Sequence, residues 1–424
     1  MTVPFNLSEL ATGSPYAVLA RLRDEDPVHW SADLKAWIVT RFADVKEVLE
    51  NEEIYSASRM RPFFDSLDPV RAERVKTLRQ YVPLWIVFQT APDHTRLRRV
   101  MRAPLAQKAM NGLRDNVAGI VDSLIDEFIA QGSVELMNQF SLRLPGYVIL
   151  DMLGAPRGDL VELTHFTNEL QLFLGQAQGV PERYARAERA AEKMGEYFER
   201  LVALKRERPG PDLTTLLIEA SDQGELNQDE LIAYCMLIFF GGQETTANLV
   251  SNGLIALMRN RDQLDKLRAH PELARSAVAE CLRYDGPIGA VVRVVSRDHE
   301  LGGKSLRKGE RVFAMVNAAN RDPAQFADPD RFDIERSGNR HLTFGQGAHF
   351  CLGAPLAGLE AEIALSKLVT RLDRVEPADG ELAWRDGLNM RGPVTLPLTF
   401  TPAARRSAKP LAGRDSVQQQ NGVP

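Results

Sequence analysis

His341-Leu342-Thr343-Phe344-Gly345-Gln346-Gly347-Ala348-His349-Phe350-Cys351-Leu352-Gly353 brings three glycines, two histidines and one cysteine into a single short stretch. Directly after it Leu356, Leu359, Ile363, Leu365, Leu368 and Leu372 recur at helical spacing. Cys351 is therefore expected at the mouth of a helix, just beyond a glycine-punctuated turn. The helix dipole and the free backbone N–H groups of a first turn favour negative charge on sulfur, so this position suits a thiolate. The glycines suit left-handed turns or a close approach of backbone to a flat ligand. The competing reading is a buried, inert cysteine on a turn.

A second stretch breaks local rules. Asn227 and Glu230 have the spacing of a capping box, and a helical pattern runs on to about Asn260. Such a helix is about 48 Å long at 1.5 Å per residue, enough to cross the molecule. Its apolar middle contains Gly241-Gly242-Gln243-Glu244-Thr245-Thr246. Glycine and threonine are poor helix formers, and a buried Glu needs partners. Failures of this kind gather at functional sites. A groove for a neighbouring helix would explain the glycines but not Glu244.

Phe344-Gly345-x-Gly347-x-His349-x-Cys351-x-Gly353 resembles the haem-binding loop of the cytochrome P450 family and matches it at every fixed position. The resemblance implies that Cys351 is the axial ligand of haem iron, with Phe344, Gly345, Gly347 and Gly353 around it. A thiolate ligand pushes electron density onto iron and favours O–O cleavage. Gly241-Gly242-Gln243-Glu244-Thr245 is similar to the family's oxygen-binding motif. There the glycines make room for haem and O2, Thr245 bonds the bound oxygen or its water, and Glu244 helps relay protons. Thr246 is expected to be structural.

Other segments match in order. His94 and Arg98 in Asp93-His94-Thr95-Arg96-Leu97-Arg98 share a helical face. Alone they read as an exposed basic turn; the resemblance makes them haem-propionate ligands, together with Arg293 and His349. Glu280 and Arg283 alone read as a surface pair of little energetic weight. By resemblance they form a buried structural network with Arg331 of Pro329-Asp330-Arg331-Phe332. Ile288, Ala290, Val291, Val292 and Met390 are expected to line the substrate pocket, with Trp85 and Phe88. The run Leu84–Phe88 also reads as a buried core strand, but long irregular segments such as 52–92 tend to be functional. Arg59 and Arg61 read as exposed loop charges, with a substrate carboxylate as the other reading. Gly358 stands where many relatives carry Arg, which bears on docking of an electron donor.

The resemblance covers about residues 15–402. It implies a mainly α fold with small β-sheets (α+β), one haem domain over 1–402, and haem between a long central helix and the Cys-bearing helix. Helices are expected at 15–26, 42–49, 110–131, 139–153 with Pro145 as a kink or boundary, 157–174 and 182–206. A loop at 175–180 would let a lid move, strands are expected at 28–30, 36–40 and 290–295, and a hairpin and strand over 298–316. Residues 403–424, polar and with three Gln in a row, read as a disordered tail.

Composition agrees with a soluble globular chain: 424 residues, 44% hydrophobic, 26% charged. A net charge of -5 argues against nucleic acid as a partner. Three cysteines, odd in number and widely spaced, fit a reducing compartment, and no apolar run is long enough for a membrane span. The expectation is thus a cytoplasmic, monomeric monooxygenase. It would contain haem b (iron protoporphyrin IX), use O2 as co-substrate, and draw electrons from NAD(P)H through a ferredoxin or flavodoxin and its reductase. Its substrate would be a small to medium apolar compound, hydroxylated or epoxidised. The alternatives are a peroxide-using or rearranging enzyme of the same fold, against which Glu244 and Thr245 count, and a non-catalytic haem-based ligand sensor.

Overall fold

The structure is a computed structural model and describes residues 14–102, 104–106, 112–175, 180–378, 380–385 and 387–403. The tail at 404–424 and residues 176–179 of the expected lid loop lie outside the described residues.

The organising element is the helix Gln228–Arg259. Its start follows from sequence: Asn227 accepts from the Glu230 N–H, and the Glu230 carboxylate accepts from the Asn227 N–H, both at 2.9 Å. The helix passes through two hydrophobic cores. Its first half, Leu231 to Phe239, packs with Leu78, Leu170, Met194 and Phe198. Its second half, Leu249 to Met258, packs with Ile120, Leu282, Leu365 and Leu368. Neither core takes in the interval 241–248, where the irregular hexapeptide lies. The helices Arg143–Leu153, Ala274–Asp285 and Ala354–Arg371 pack around the long helix.

The β structure is small. Strands β1 (Val28–Ser31), β2 (Ala36–Val39), β3 (Tyr55–Ser56), β5 (Ala290–Val295) and β8 (Arg311–Met315) form one sheet in the order β1-β2-β8-β5-β3. β2 runs parallel to β8, with Ala36 opposite Arg311. β5 is antiparallel to β8, with Ala290 opposite Met315. A second sheet has the order β4 (Ser133–Glu135), β10 (Pro397–Pro402), β9 (Leu372–Pro377), and β6 (His299–Leu301) pairs with β7 (Lys304–Leu306). Among the described residues no helix is long and apolar enough to cross a membrane.

Several expectations shift for local reasons. Leu84–Phe88 is not a strand. Val82–Leu84 and Ile86–Phe88 are two tight turns, closed by bonds such as Phe88 N–H to the Trp85 carbonyl at 2.8 Å. The backbone is satisfied locally, without a sheet partner. Of the two readings of Pro145 the boundary holds: the expected helix from 139 is divided, and its main part begins at Arg143. It sits in the first turn of Arg143–Leu153, where a missing N–H is harmless. The helix expected from Met110 is seen from Arg114 to Asp126, and residues 107–111 lie outside the described residues.

The Glu280 network also needs correction. Glu280 and Arg283 form a buried two-bond ion pair, both contacts 2.8 Å. Arg331 gives that network only its backbone carbonyl, at 3.0 Å from Arg283. Its side chain is 65% exposed and lies 3.8 Å from Asp333. The second cation on Glu280 is Arg336, 11% exposed, with Nε 3.2 Å from Oε1. Asn339 Nδ2 and the Asp333 N–H also donate to Glu280.

Candidate functional site

The cysteine loop is built as its glycines suggest. Gly345 has φ +74° and Gly347 φ +67°, and a Cβ on Gly347 would come within 3.2 Å of the Glu50 backbone. The Cys351 N–H donates to the Phe344 carbonyl at 2.8 Å, closing the loop just before the helix Ala354–Arg371. Burial nevertheless raises the thiol pKa, while the N–H groups of Gly353 and Ala354, and Arg98, pull it down. The backbone N–H groups at the helix start thus favour negative charge on sulfur, as expected of this position, while burial works against it. An anionic sulfur here needs a bound metal to hold it. Cys235 and Cys281 are buried, and burial pushes Cys235 up to about 12.

Cys351 is exposed by surface area although it lies at depth. What it faces is a cavity of about 400 Å³. The cysteine loop and the helix after it contribute Cys351, Gly353, Leu356, Phe344 and Gly345 to its lining, and the long helix contributes Leu237, Phe240, Gly241, Thr245 and Leu249. Those helix positions follow a period of three to four and interrupt an otherwise buried element.

The two helix glycines do different work. A Cβ on Gly241 would meet nothing closer than Leu237 at 3.8 Å, so this glycine opens the cavity. A Cβ on Gly242 would meet Ile149 at 2.6 Å, so this one admits the neighbouring helix while bordering the cavity. Thr245 donates its hydroxyl to the Gly241 carbonyl at 2.8 Å. Glu244 is not on the cavity wall. It is 6% exposed, accepts from Gln171 Nε2 at 3.0 Å, and lies 2.9 Å from Arg385 Nη1. Thr246 is buried and touches the cavity margin.

At the edge of the cavity four basic groups converge. Burial lowers Arg293 to about 10, and its Nε is buried without a partner. Burial, then Arg293, His94 and Arg98, lower His349 to about 3. Its Nε2 is 3.4 Å from Glu52 Oε1, but the alignment is not that of a hydrogen bond. The His94 ring lies 4.2 Å from that of His349, and its pKa is lowered by burial, Arg98 and Arg293. Arg98 donates to the Phe350 carbonyl at 2.8 Å. Repelling groups gathered with unpartnered donors form a receptor for anions.

These features fit haem. Among the described residues no three His, Cys, Asp or Glu side chains are grouped to hold a metal ion. A single Cys ligand therefore suits an iron whose other ligands come with a macrocycle. The cavity that Cys351 and Gly241 share, and the basic groups gathered around Arg293 and His349, suit a porphyrin and its carboxylates.

Trp85, Phe88, Ile288, Ala290, Val291, Val292 and Met390 all line the cavity, as expected. Met390 gets there through an isolated bridge to Ile288. Gly347 does not reach it. Sequence reasoning missed Leu237, Phe240 and Leu249, whose helical spacing was readable, and Gln171 and Arg385, for which no local pattern exists; Arg59, read first as a loop charge, lines the cavity. A Cβ on Gly358 meets nothing within 4 Å, so the lack of Arg there has no steric cause.

Comparison with known proteins agrees with this geometry. The family model described as "Cytochrome P450" matches residues 28–383. "Cytochrome P450 107B1" of Saccharopolyspora erythraea is 36% identical over 89% of this chain and 93% of its own length. "Vitamin D(3) 25-hydroxylase" of Pseudonocardia autotrophica is 34% identical, over 92% of this chain and 94% of its own. The crystal structure of CalO2 superposes with a TM-score of 0.87 at 32% identity, covering 95% of this chain and 100% of that one.

Proposed function

The chain belongs to the cytochrome P450 family and is a monooxygenase of that type; from this premise we propose how it works and on what. The reading is insertion of one atom of O2 into a small to medium apolar substrate, by hydroxylation or epoxidation. Haem b held through Cys351 would supply the redox-active iron at which O2 is activated. The electrons would come from NAD(P)H through a separate ferredoxin or flavodoxin and its reductase, in the cytoplasm.

The observation that supports the proposal is that Cys351 and Thr245, from the cysteine loop and the long helix, line one and the same largely apolar cavity. Each residue has a definite task. Arg98, His94, Arg293 and His349 would hold the haem carboxylates and fix the plane of the cofactor. Trp85, Phe88, Val291, Val292 and Met390 would exclude water and orient the substrate by shape. The Thr245 hydroxyl, now bonded to the Gly241 carbonyl, is the polar group on the oxygen side. Glu244 stands one residue away and outside the cavity, beside the partly exposed Arg385, where it can pass protons from solvent toward Thr245.

The test begins with the reduced protein under carbon monoxide, which should show the absorption of thiolate-ligated haem. Cys351→His should abolish that signature. With a surrogate ferredoxin, its reductase and NADPH, a ligand that shifts ferric haem to high spin should yield product. Under labelled O2 one labelled atom should enter it. Product formed without electrons, or without label, would favour the peroxide-using or rearranging reading.

A further inference from the structure

Arg59 is not the exposed loop charge that its sequence context suggests. Its neighbour Arg61 is exposed, but Arg59 lines the apolar cavity at the start of the short helix Met60–Asp65. Its guanidinium lies 4.9 Å from the centre of the Phe88 ring. Among the described residues no carboxylate comes within ion-pairing distance of it. Burial lowers its pKa to about 10, and Arg293 and Arg311 push the same way. A desolvated guanidinium facing a cavity without an anion is costly unless a ligand supplies one.

The surroundings of Arg59 say which ligand. The carboxylates of haem already have four donors in Arg98, His94, Arg293 and His349. Arg59 instead stands at one end of an aromatic wall. Phe88 stacks on Trp85 at 6.3 Å between ring centres, and Trp85 meets Phe240 at 4.9 Å. Phe240 precedes Gly241, so the wall leads from the cation to the oxygen side of the long helix. A site with a cation at one end and an apolar path to Thr245 suits an amphiphilic anion better than a neutral hydrocarbon.

We propose that Arg59 is a specificity-determining residue that binds the carboxylate of an amphiphilic substrate and lays its apolar body along Phe88, Trp85 and Phe240 toward Thr245. The inference rests on the monooxygenase reading above. Arg59 would donate up to two parallel N–H···O bonds to the carboxylate, a geometry that Lys cannot copy.

The experiment uses the holoprotein. Ferric protein is titrated with dodecanoate, hexadecanoate and 4-phenylbutanoate, each beside its methyl ester and its alcohol, and the high-spin shift is followed. At least one acid should bind about 10- to 100-fold tighter than its neutral partners, as expected of a charge-assisted hydrogen bond. Arg59→Gln should bring the acid to the level of the ester and leave the ester unchanged. Arg59→Lys should keep part of the preference. The inference is overturned if no acid is preferred, or if the preference survives in Arg59→Gln. It is also overturned if Arg59→Gln speeds haem transfer to apomyoglobin tenfold without touching acid preference, since Arg59 would then serve a haem carboxylate. Absence of thiolate-type absorption under carbon monoxide would instead remove the monooxygenase reading itself.

Discussion

Arg385 Nη1 stands 2.9 Å from Glu244 Oε1, while Gln171 Nε2 donates to Oε2 at 3.0 Å. The acid of the oxygen-side motif thus has both oxygens engaged by two segments that are remote in sequence. A buried carboxylate needs such partners. The same contacts hold it beside the cavity rather than in it, so in the proposed relay one of them would have to yield for a proton to pass.

Glu244→Gln should keep a hydrogen-bonding side chain but lose the proton carrier. Product formation driven by NADPH should fall about 100-fold, the low end of what general acid–base groups contribute. Ligand-induced spin shifts should stay unchanged. Arg385→Leu leaves the carboxylate in place, and its turnover should fall less than about tenfold. Its stability loss should be about 1 kcal/mol, because Arg385 is partly exposed. Equal rates for the two variants would place Arg385 inside the relay.

Thr245→Ala removes the hydroxyl of the less buried of the motif's two threonines, both of which line the cavity. Electrons should then be diverted to hydrogen peroxide, with product per NADPH dropping several-fold while NADPH consumption continues. Thr246→Ala is the control. It removes a buried hydroxyl at the cavity margin and should reduce thermal stability without changing coupling. Peroxide yield measured beside product decides the matter, and equal coupling in wild type and Thr245→Ala would exclude the role given to Thr245.

What the sequence made legible was local. The Asn227–Glu230 box, the glycine turns before Cys351 and the Gly241–Thr246 interruption depend on residues a few positions apart, and each appears where expected. What it hid was non-local or directional. Pro329-Asp330-Arg331-Phe332 marks the right segment, but no pattern says that Arg336 turns inward while Arg331 turns to solvent. Glu244 reads as a buried acid in need of partners, yet those partners come from other elements. Arg59 and Arg61 share one pair of readings in the sequence, and only the fold separates them by setting Arg59 at the cavity. The helix terminus at Cys351 was legible, and the burial that opposes charge on its sulfur was not.

The corrected network makes a separable prediction. Arg283→Met should destabilise by about 3–5 kcal/mol, since it strands the fully buried Glu280 carboxylate. Arg336→Met should cost about 1–3 kcal/mol, as one of several donors to Glu280 is lost. Arg331→Ala should stay within about 0.5 kcal/mol, the usual range for an exposed side chain. Urea unfolding of the three holoproteins gives the order, and a loss at Arg331 as large as at Arg336 would reverse the assignment.

His341, at the head of the cysteine loop, should make stability depend on pH. Burial, and secondarily Arg283, lower its pKa from 6.5 to about 4, and its Nδ1 is buried without a partner. The folded protein therefore resists protonating this ring, whereas the unfolded chain accepts the proton below 6.5. Between these values the unfolded state binds more protons, so stability rises with pH. The contribution is fully present above 6.5 and is lost as pH falls toward 4, by up to about 1.4 kcal/mol per pH unit. Carboxylates titrate in the lower part of this window too, so the reading is a difference between two proteins. His341→Phe keeps an aromatic ring beside Phe344, whose ring centre lies 5.6 Å from that of His341, and removes the titration. From pH 7.5 to pH 5 the wild type should lose more stability than this variant, by about 1–2 kcal/mol in urea unfolding. Parallel pH profiles would mean that His341 takes up its proton in the fold as readily as in the unfolded chain, and burial would then have no hold on the ring.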